Sequence, residues 1–291
     1  QFWVSAFHMD GIRFDATRAI RYYDLLNWFS DEAHKREGFK PFYTIAEHIP
    51  QDPTIADSDG PVDGAWHDNF YRQMVSTAVG VAQEGRDPFN TDEVLRLLDG
   101  RGDGFQSSYN TVHYLNNHDQ ERVMWLLGRV GIFDDNAFRR AKLGATFLLT
   151  APGIPMLWMG EEFGQASPKT LEPQPLHWGL LANERNGWLR DHYANLMRVR
   201  KSNPALYSDN YEAIANMRGR GIIAYKRWNN EGNVIVVVAN LTPYYAGEFE
   251  VGGGLEDGTW HEAIFGYDIQ VKDGVVRDTL AESEAKVYIK R

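Results

Sequence analysis

Three carboxylates close three short apolar runs. Asp15 closes Gly11-Ile12-Arg13-Phe14-Asp15-Ala16, Glu47 closes Phe42-Tyr43-Thr44-Ile45-Ala46-Glu47, and Asp119 ends Val112-His113-Tyr114-Leu115-Asn116-Asn117-His118-Asp119. Each run reads as a buried strand, with its acid where the strand hands over to a loop. An acid is costly to bury without a purpose, and the C-terminal ends of parallel strands are where a barrel of strands and helices keeps its active site. Carboxyl groups about 5–5.5 Å apart are what retaining glycosidic cleavage needs: one attacks the anomeric carbon, the other protonates the leaving oxygen. Arg13 stands two residues before Asp15, so on a strand both side chains leave the same face. A guanidinium there would keep Asp15 ionised and aimed. Taken singly, Arg-x-Asp reads as a structural ion pair, a lone Glu as an exposed loop residue, and Asn-His-Asp as a turn. Their coincidence carries the functional reading.

The elements that must position these acids alternate. Residues 11–16, 42–47, 112–117 and 154–159 read as strands, with a short one at Ala65 and Trp66. Residues 18–36, 69–81, 93–98, 136–149 and 186–202 read as helices, the first ended by Gly38 and the last by Asn203-Pro204. Residues 50–63 and 164–184 are rich in turn formers and read as loops. Alternating strand and helix predict a parallel sheet with covering helices. Beyond Ala205 the texture changes to short strands at 222–228, 233–241, 248–251 and 286–289, joined by Gly, Asn and Asp turns. The expected division is an α/β domain over 1–205 and a small all-β domain over 206–291.

Composition narrows the function. The 291 residues are 43% hydrophobic, ample for a packed core, and 13% aromatic with nine Trp, which suits sugar binding. A net charge of −10 without a basic run argues against nucleic acid. Zero cysteines exclude disulfides and thiolate catalysis. No apolar stretch is long enough to span a membrane. No glycine-rich phosphate loop implies a nucleotide cofactor, and no His or acid spacing implies a metal. Neither is expected.

The motifs Gly-x-Arg-x-Asp (Gly11, Arg13, Asp15), Thr44-Ile45-Ala46-Glu47 and Asn117-His118-Asp119 resemble those of the α-amylase superfamily (glycoside hydrolase family 13) in type and order. The segment Gly153-Ile154-Pro155-Met156-Leu157-Trp158-Met159-Gly160-Glu161-Glu162-Phe163-Gly164 resembles that family's last barrel strand and its loop. The resemblance covers roughly residues 1–205. It implies the C-terminal part of a (β/α)8 TIM barrel, strands four to eight, followed by a small β-sandwich. It makes Asp15 the nucleophile and Glu47 the general acid, whose pKa should be raised. Asp119 would grip sugar hydroxyls in an oxocarbenium-like transition state. Arg13, Asn117, His118 and Trp66 would bind substrate, with Trp66 equally readable as a core residue. The family's first three strands are not in these residues, so the expected partners are an α-glucan and the N-terminal half of the same enzyme. A cytoplasmic setting is expected.

Gly64-Ala65-Trp66-His67-Asp68-Asn69-Phe70 and Met159-Gly160-Glu161-Glu162-Phe163-Gly164 resemble glucan branching enzymes and maltooligosyltrehalose trehalohydrolases. Pro175-Leu176-His177-Trp178 and Asn203-Pro204-Ala205-Leu206 resemble branching enzymes, whereas Asn117 and Ala16-Thr17-Arg18-Ala19-Ile20 lean towards hydrolases. The expected activity is retaining transfer or cleavage at α-1,4-glucosidic bonds, with branching first and hydrolysis second. A non-catalytic glucan-binding protein is the third reading. Among lesser candidates, His67 and Asp68 would line the cleft, one of Glu161 and Glu162 would sit near Arg13, and His8 and Asp10 would be structural. Trp125, Trp158 and Trp178 read mainly as core.

Overall fold

The computed structural model describes residues 2–35 and 41–291. Five parallel strands, β1 (Gly11–Phe14), β2 (Tyr43–Ala46), β3 (Gly64–Trp66), β4 (Thr111–His113) and β5 (Ile154–Pro155), pair in sequence order. Parallel neighbours need crossovers. These contain or are flanked by α1 (Phe2–Phe7), α2 (Thr17–Ile20), α3 (Tyr23–His34), α4 (Asp68–Val79), α5 (Thr91–Leu98), α6 (Val123–Arg129), α7 (Asp134–Thr150) and α8 (Glu184–Ser202). Asn90 and Asn183 cap α5 and α8 through their side chains, supplying acceptors for otherwise orphaned helix N–H groups. A Cβ at Gly11 would overlap the Tyr43 carbonyl oxygen. Glycine there lets β1 and β2 approach in the register that pairs Phe14 with Ala46. Phe70, Met74, Leu97, Leu98, Leu143 and Phe147 form the heart of the core between helices and sheet.

The second half is antiparallel. β6 (Tyr211–Met217), β7 (Ile222–Trp228), β8 (Val234–Asn240), β10 (Gly258–Glu262), β11 (Tyr267–Val271) and β13 (Ala285–Lys290) make a six-stranded sheet in the order β11-β10-β13-β8-β7-β6. β9 (Gly247–Val251) and β12 (Val276–Leu280) make a separate pair. Period-two alternation splits β7 and β8 between two cores. Ile223, Tyr225, Ile235 and Val237 join the core of the first half, while Ile222, Ala224, Val236 and Val238 pack with Phe249, Val251 and Trp260. The buried Arg227 staples the halves, donating to Thr150 O at 2.7 Å, Asn210 O at 2.8 Å and Ser208 O at 2.6 Å.

Some expectations change. The helix read over 18–36 is two helices, because Arg21 adopts a left-handed φ of 53° between α2 and α3; its expected end at Gly38 lies outside the described residues. The strand read over 112–117 stops at His113, and the Asn117 side chain folds the following segment into a turn by accepting Asp119 N at 2.7 Å. The strand read over 154–159 is two residues long; Pro155 has no N–H to offer a ladder. The unforeseen α6 is a near-continuous apolar run without helical periodicity, and β10 to β12 are short and polar.

Candidate active site

Asp15 and Glu47 follow the paired residues Phe14 and Ala46, so they emerge side by side from adjacent strand ends. Arg13 joins them. Its Nη1 donates to Asp15 Oδ1 and its Nη2 to Glu47 Oε2, both at 2.6 Å. A rigid planar fork thus fixes the spacing of two acids, which a flexible ammonium could not do. Its Cζ lies 4.6 Å over the ring of Trp66, at the end of β3.

Backbone geometry supports the pair. Ala16 sits in the left-handed region, φ 43°, and turns its N–H onto Glu47 Oε2 at 2.9 Å. For an alanine this costs about 1–2 kcal/mol. Glu47 N donates to Phe14 O and Thr17 N to Glu47 O, each at 2.9 Å, locking the two strand ends together. Glu47 Oε2 takes both donors, the Arg13 guanidinium and the Ala16 backbone N–H. Oε1 takes none among the described residues.

Asp119 approaches from the loop after β4. His118 Nε2 lies 3.2 Å from Asp119 Oδ2, and Lys169 Nζ lies 3.6 Å from Oδ1. The His118 ring sits 6.1 Å from the ring of Trp66 and 6.1 Å from that of Trp158. Arg13, with the two acids it holds, and His118, beside Asp119, therefore both lie against the Trp66 indole.

Two expected substrate-binding residues have other placements. Trp66 is only 4% exposed and lies beneath Arg13, so it presents no free face to a sugar. Asn117 is buried behind the loop, where it shapes the turn carrying Asp119. Nor do His67 and Asp68 line a cleft. His67 is enclosed, bonding Asp103 Oδ2 at 3.1 Å and His113 at 2.9 Å, while Asp68 accepts from Arg72 at 2.6 Å and Tyr114 at 3.1 Å. Burial holds both imidazoles below the usual histidine range.

Glu161 is buried away from Arg13. Its carboxyl accepts from Tyr193 OH at 2.7 Å, and desolvation pushes its pKa up to about 7. Glu162 accepts from Gly160 N at 2.8 Å within the same turn. Asp10 contributes its carbonyl to Tyr43 N at 2.9 Å, and His8 is exposed. Trp178 is exposed, and Trp125 and Trp158 are half-buried, so none is a full core residue.

Sequence reasoning missed Lys169 and His48. Lys169 is a lone cation in a long polar loop, and only the fold brings it to Asp119. His48 follows Glu47 directly, and its Nδ1 lies 3.0 Å from Thr17 Oγ1. Burial lowers its pKa. Adjacency to Glu47 was the available signal.

The parallel sheet thus carries acids at two neighbouring strand ends, Asp15 and Glu47, with Asp119 on the loop beyond a third. The chain belongs to the α-amylase family: residues 1–217 match the description "Alpha amylase, catalytic domain". It is 24% identical over 313 residues to the 1,4-alpha-glucan branching enzyme GlgB of Prochlorococcus marinus, covering 99% of this chain and 41% of that one. The chain thus spans about two-fifths of the length of that curated relative. An Anoxybacillus α-amylase superposes with a TM-score of 0.79 at 20% identity, covering 99% of this chain and 60% of that one. An α-amylase of Geobacillus thermoleovorans, solved with acarbose, gives 0.78 at 17% identity, covering 100% and 62%.

Proposed function

We propose that this chain carries the reacting groups of a retaining α-glucan enzyme, with α-1,4-glucan branching as the first reading. The observation that supports it is the single Arg13 guanidinium holding Asp15 and Glu47 at adjacent strand ends. Asp15 attacks the anomeric carbon, forming a glycosyl ester as the glycosidic C–O bond breaks. Glu47 protonates the departing oxygen. In the second step Glu47 takes the proton of an incoming hydroxyl, that oxygen bonds to the anomeric carbon, and Asp15 leaves as carboxylate. Asp119 and His118 grip the same sugar as its charge develops, Arg13 keeps Asp15 aimed, and Asn117 and Trp66 support from behind.

An acceptor sugar gives branching; water gives hydrolysis. The GlgB likeness favours the first and the amylase neighbours the second. We place the barrel portion at 1–205, as strands four to eight of an eight-stranded barrel, and a β-sandwich at 206–291. The barrel's remaining strands are assigned to an N-terminal half. Phe2, Trp3, Phe7, Trp28 and Phe29 are exposed apolar side chains on the β1 side, as an interface awaiting cover would have. Product analysis on amylose, with that half included, tests the reading. New α-1,6 linkages without matching reducing ends mean branching; reducing ends mean hydrolysis. Binding without either product leaves a glucan-binding protein and overturns the catalytic reading.

A further inference from the structure

A small cavity beneath the Asn117–Asp119 loop is lined by Leu115, Asn116, Arg122, Glu161, Gln165 and Tyr193. Asn116 is fully buried, and neither end of its amide has a partner among the described residues. Such an amide costs free energy unless the site gives it something in return. On the opposite wall, Glu161 Oε1 accepts from Tyr193 OH at 2.7 Å and Oε2 accepts from Trp158 N at 3.4 Å. From that turn, two links return to the loop. The Trp158 ring packs 6.1 Å from His118, whose Nε2 lies 3.2 Å from Asp119 Oδ2. Arg122, three residues beyond Asp119, donates to Met159 O at 2.8 Å.

We propose that Glu161 is a positioning residue for the Asn117–Asp119 loop, its ionised carboxylate holding the Trp158 and Arg122 contacts that place Asp119 against the sugar. This rests on the α-glucan reading above. As a carboxylate, Glu161 accepts from both donors and attracts Arg122. A proton on Oε2 would face the Trp158 N–H donor to donor, and a proton on Oε1 would make the Tyr193 hydroxyl turn. Either form releases Arg122 from the negative charge. The charged or titratable groups facing Glu161 are Tyr193 from α8, Arg122 at the start of α6 and Glu162 on its own turn. The β4 side presents Asn116 and α7 presents Ala141, neither of them charged. With the acid titrating at about 7, both forms are populated near neutrality.

Selective labelling of tryptophan and histidine backbone nitrogens follows the Trp158 and His118 amides from about pH 5 to about pH 9, beside maltooligosaccharide turnover by the enzyme with its N-terminal half. The expected result is a shared midpoint at about 7 for both amides. Along that transition kcat rises about tenfold, as small displacements of a reacting group produce, with KM nearly constant. Glu161→Gln removes the transition from both amides and holds kcat at its low-pH value. Tyr193→Phe, which deletes one donor to the carboxylate, moves the common midpoint upward and guards against a poorly folded Gln variant. A Trp158 amide that titrates while His118 stays still overturns the proposal, as does an inflection that survives Glu161→Gln. Coupled amides without turnover on any α-glucan would sink the enzymatic reading and leave the link between Glu161 and the loop standing.

Discussion

Exchanging Glu161 for Gln should change stability by an amount that depends on pH. Desolvation raises this carboxyl from 4.5 to about 7 in the folded protein. The folded state therefore holds the proton more tightly than the unfolded chain does. Stability falls as pH rises through that window, and the penalty is complete above the folded pKa. A shift of this size corresponds to about 3 kcal/mol. Gln carries no charge, so it escapes that penalty. It takes the place of the protonated acid: with its amide nitrogen towards Tyr193 and its oxygen towards Trp158 N it makes the same contacts as the neutral carboxyl. The net expectation is little change at about pH 4 and about 3 kcal/mol of stabilisation at about pH 8.5. Urea denaturation followed by tryptophan fluorescence at the two pH values measures the difference, provided the slopes agree. An equal effect at both pH values would refute the reasoning, since it would mean that ionising Glu161 costs the fold nothing.

Asp15→Asn should reduce glucan turnover by at least about a thousandfold while leaving oligosaccharide affinity within severalfold, as expected for loss of a group used in the chemical step; calorimetric binding beside a rate assay checks both. Glu47→Gln should impair natural glucans far more than α-glucosyl fluoride, whose leaving group needs no proton; equal losses on the two substrates would remove Glu47 as the acid. Burial lowers His192 from 6.5 to about 4, so the unfolded chain protonates first and stability is lost as pH falls through that interval. The loss is about 3 kcal/mol, and His192→Gln should shrink it in paired urea titrations at about pH 7 and about pH 4. Arg227→Met leaves three backbone carbonyls without their donor. It should cost at least about 3 kcal/mol, seen as a lowered urea midpoint.

The positions of Asp15 and Glu47 were legible because each closes an apolar run, and the pairing of Phe14 with Ala46 turns that sequence feature into adjacency. The bridging role of Arg13 was only half legible: strand periodicity aimed it at Asp15, but its second bond, to Glu47, depends on register between strands. Trp66 was ambiguous because an indole serves sugar stacking and core packing equally well, and what decided it was the cation lying over it. Lys169 carried no signal, because a lone lysine in a loop has no periodicity. In the antiparallel half, β7 and β8 were evident from unbroken apolar content. β10 to β12 were not, because their pairing rather than their composition makes them strands.

Trp66 also divides what can vary from what cannot. It is a single buried plate on which Arg13 rests and against which His118 leans, so the fork that holds Asp15 and Glu47 and the histidine beside Asp119 are both referred to one ring. Lys169, which reaches Asp119, belongs instead to a long peripheral loop. On the glucan reading proposed above, loop changes would alter which sugar arrives without disturbing the frame that holds the acids. A shrinking change at the ring would loosen the seats of Arg13 and His118 together. The plate works as a common datum for the arginine fork and the histidine.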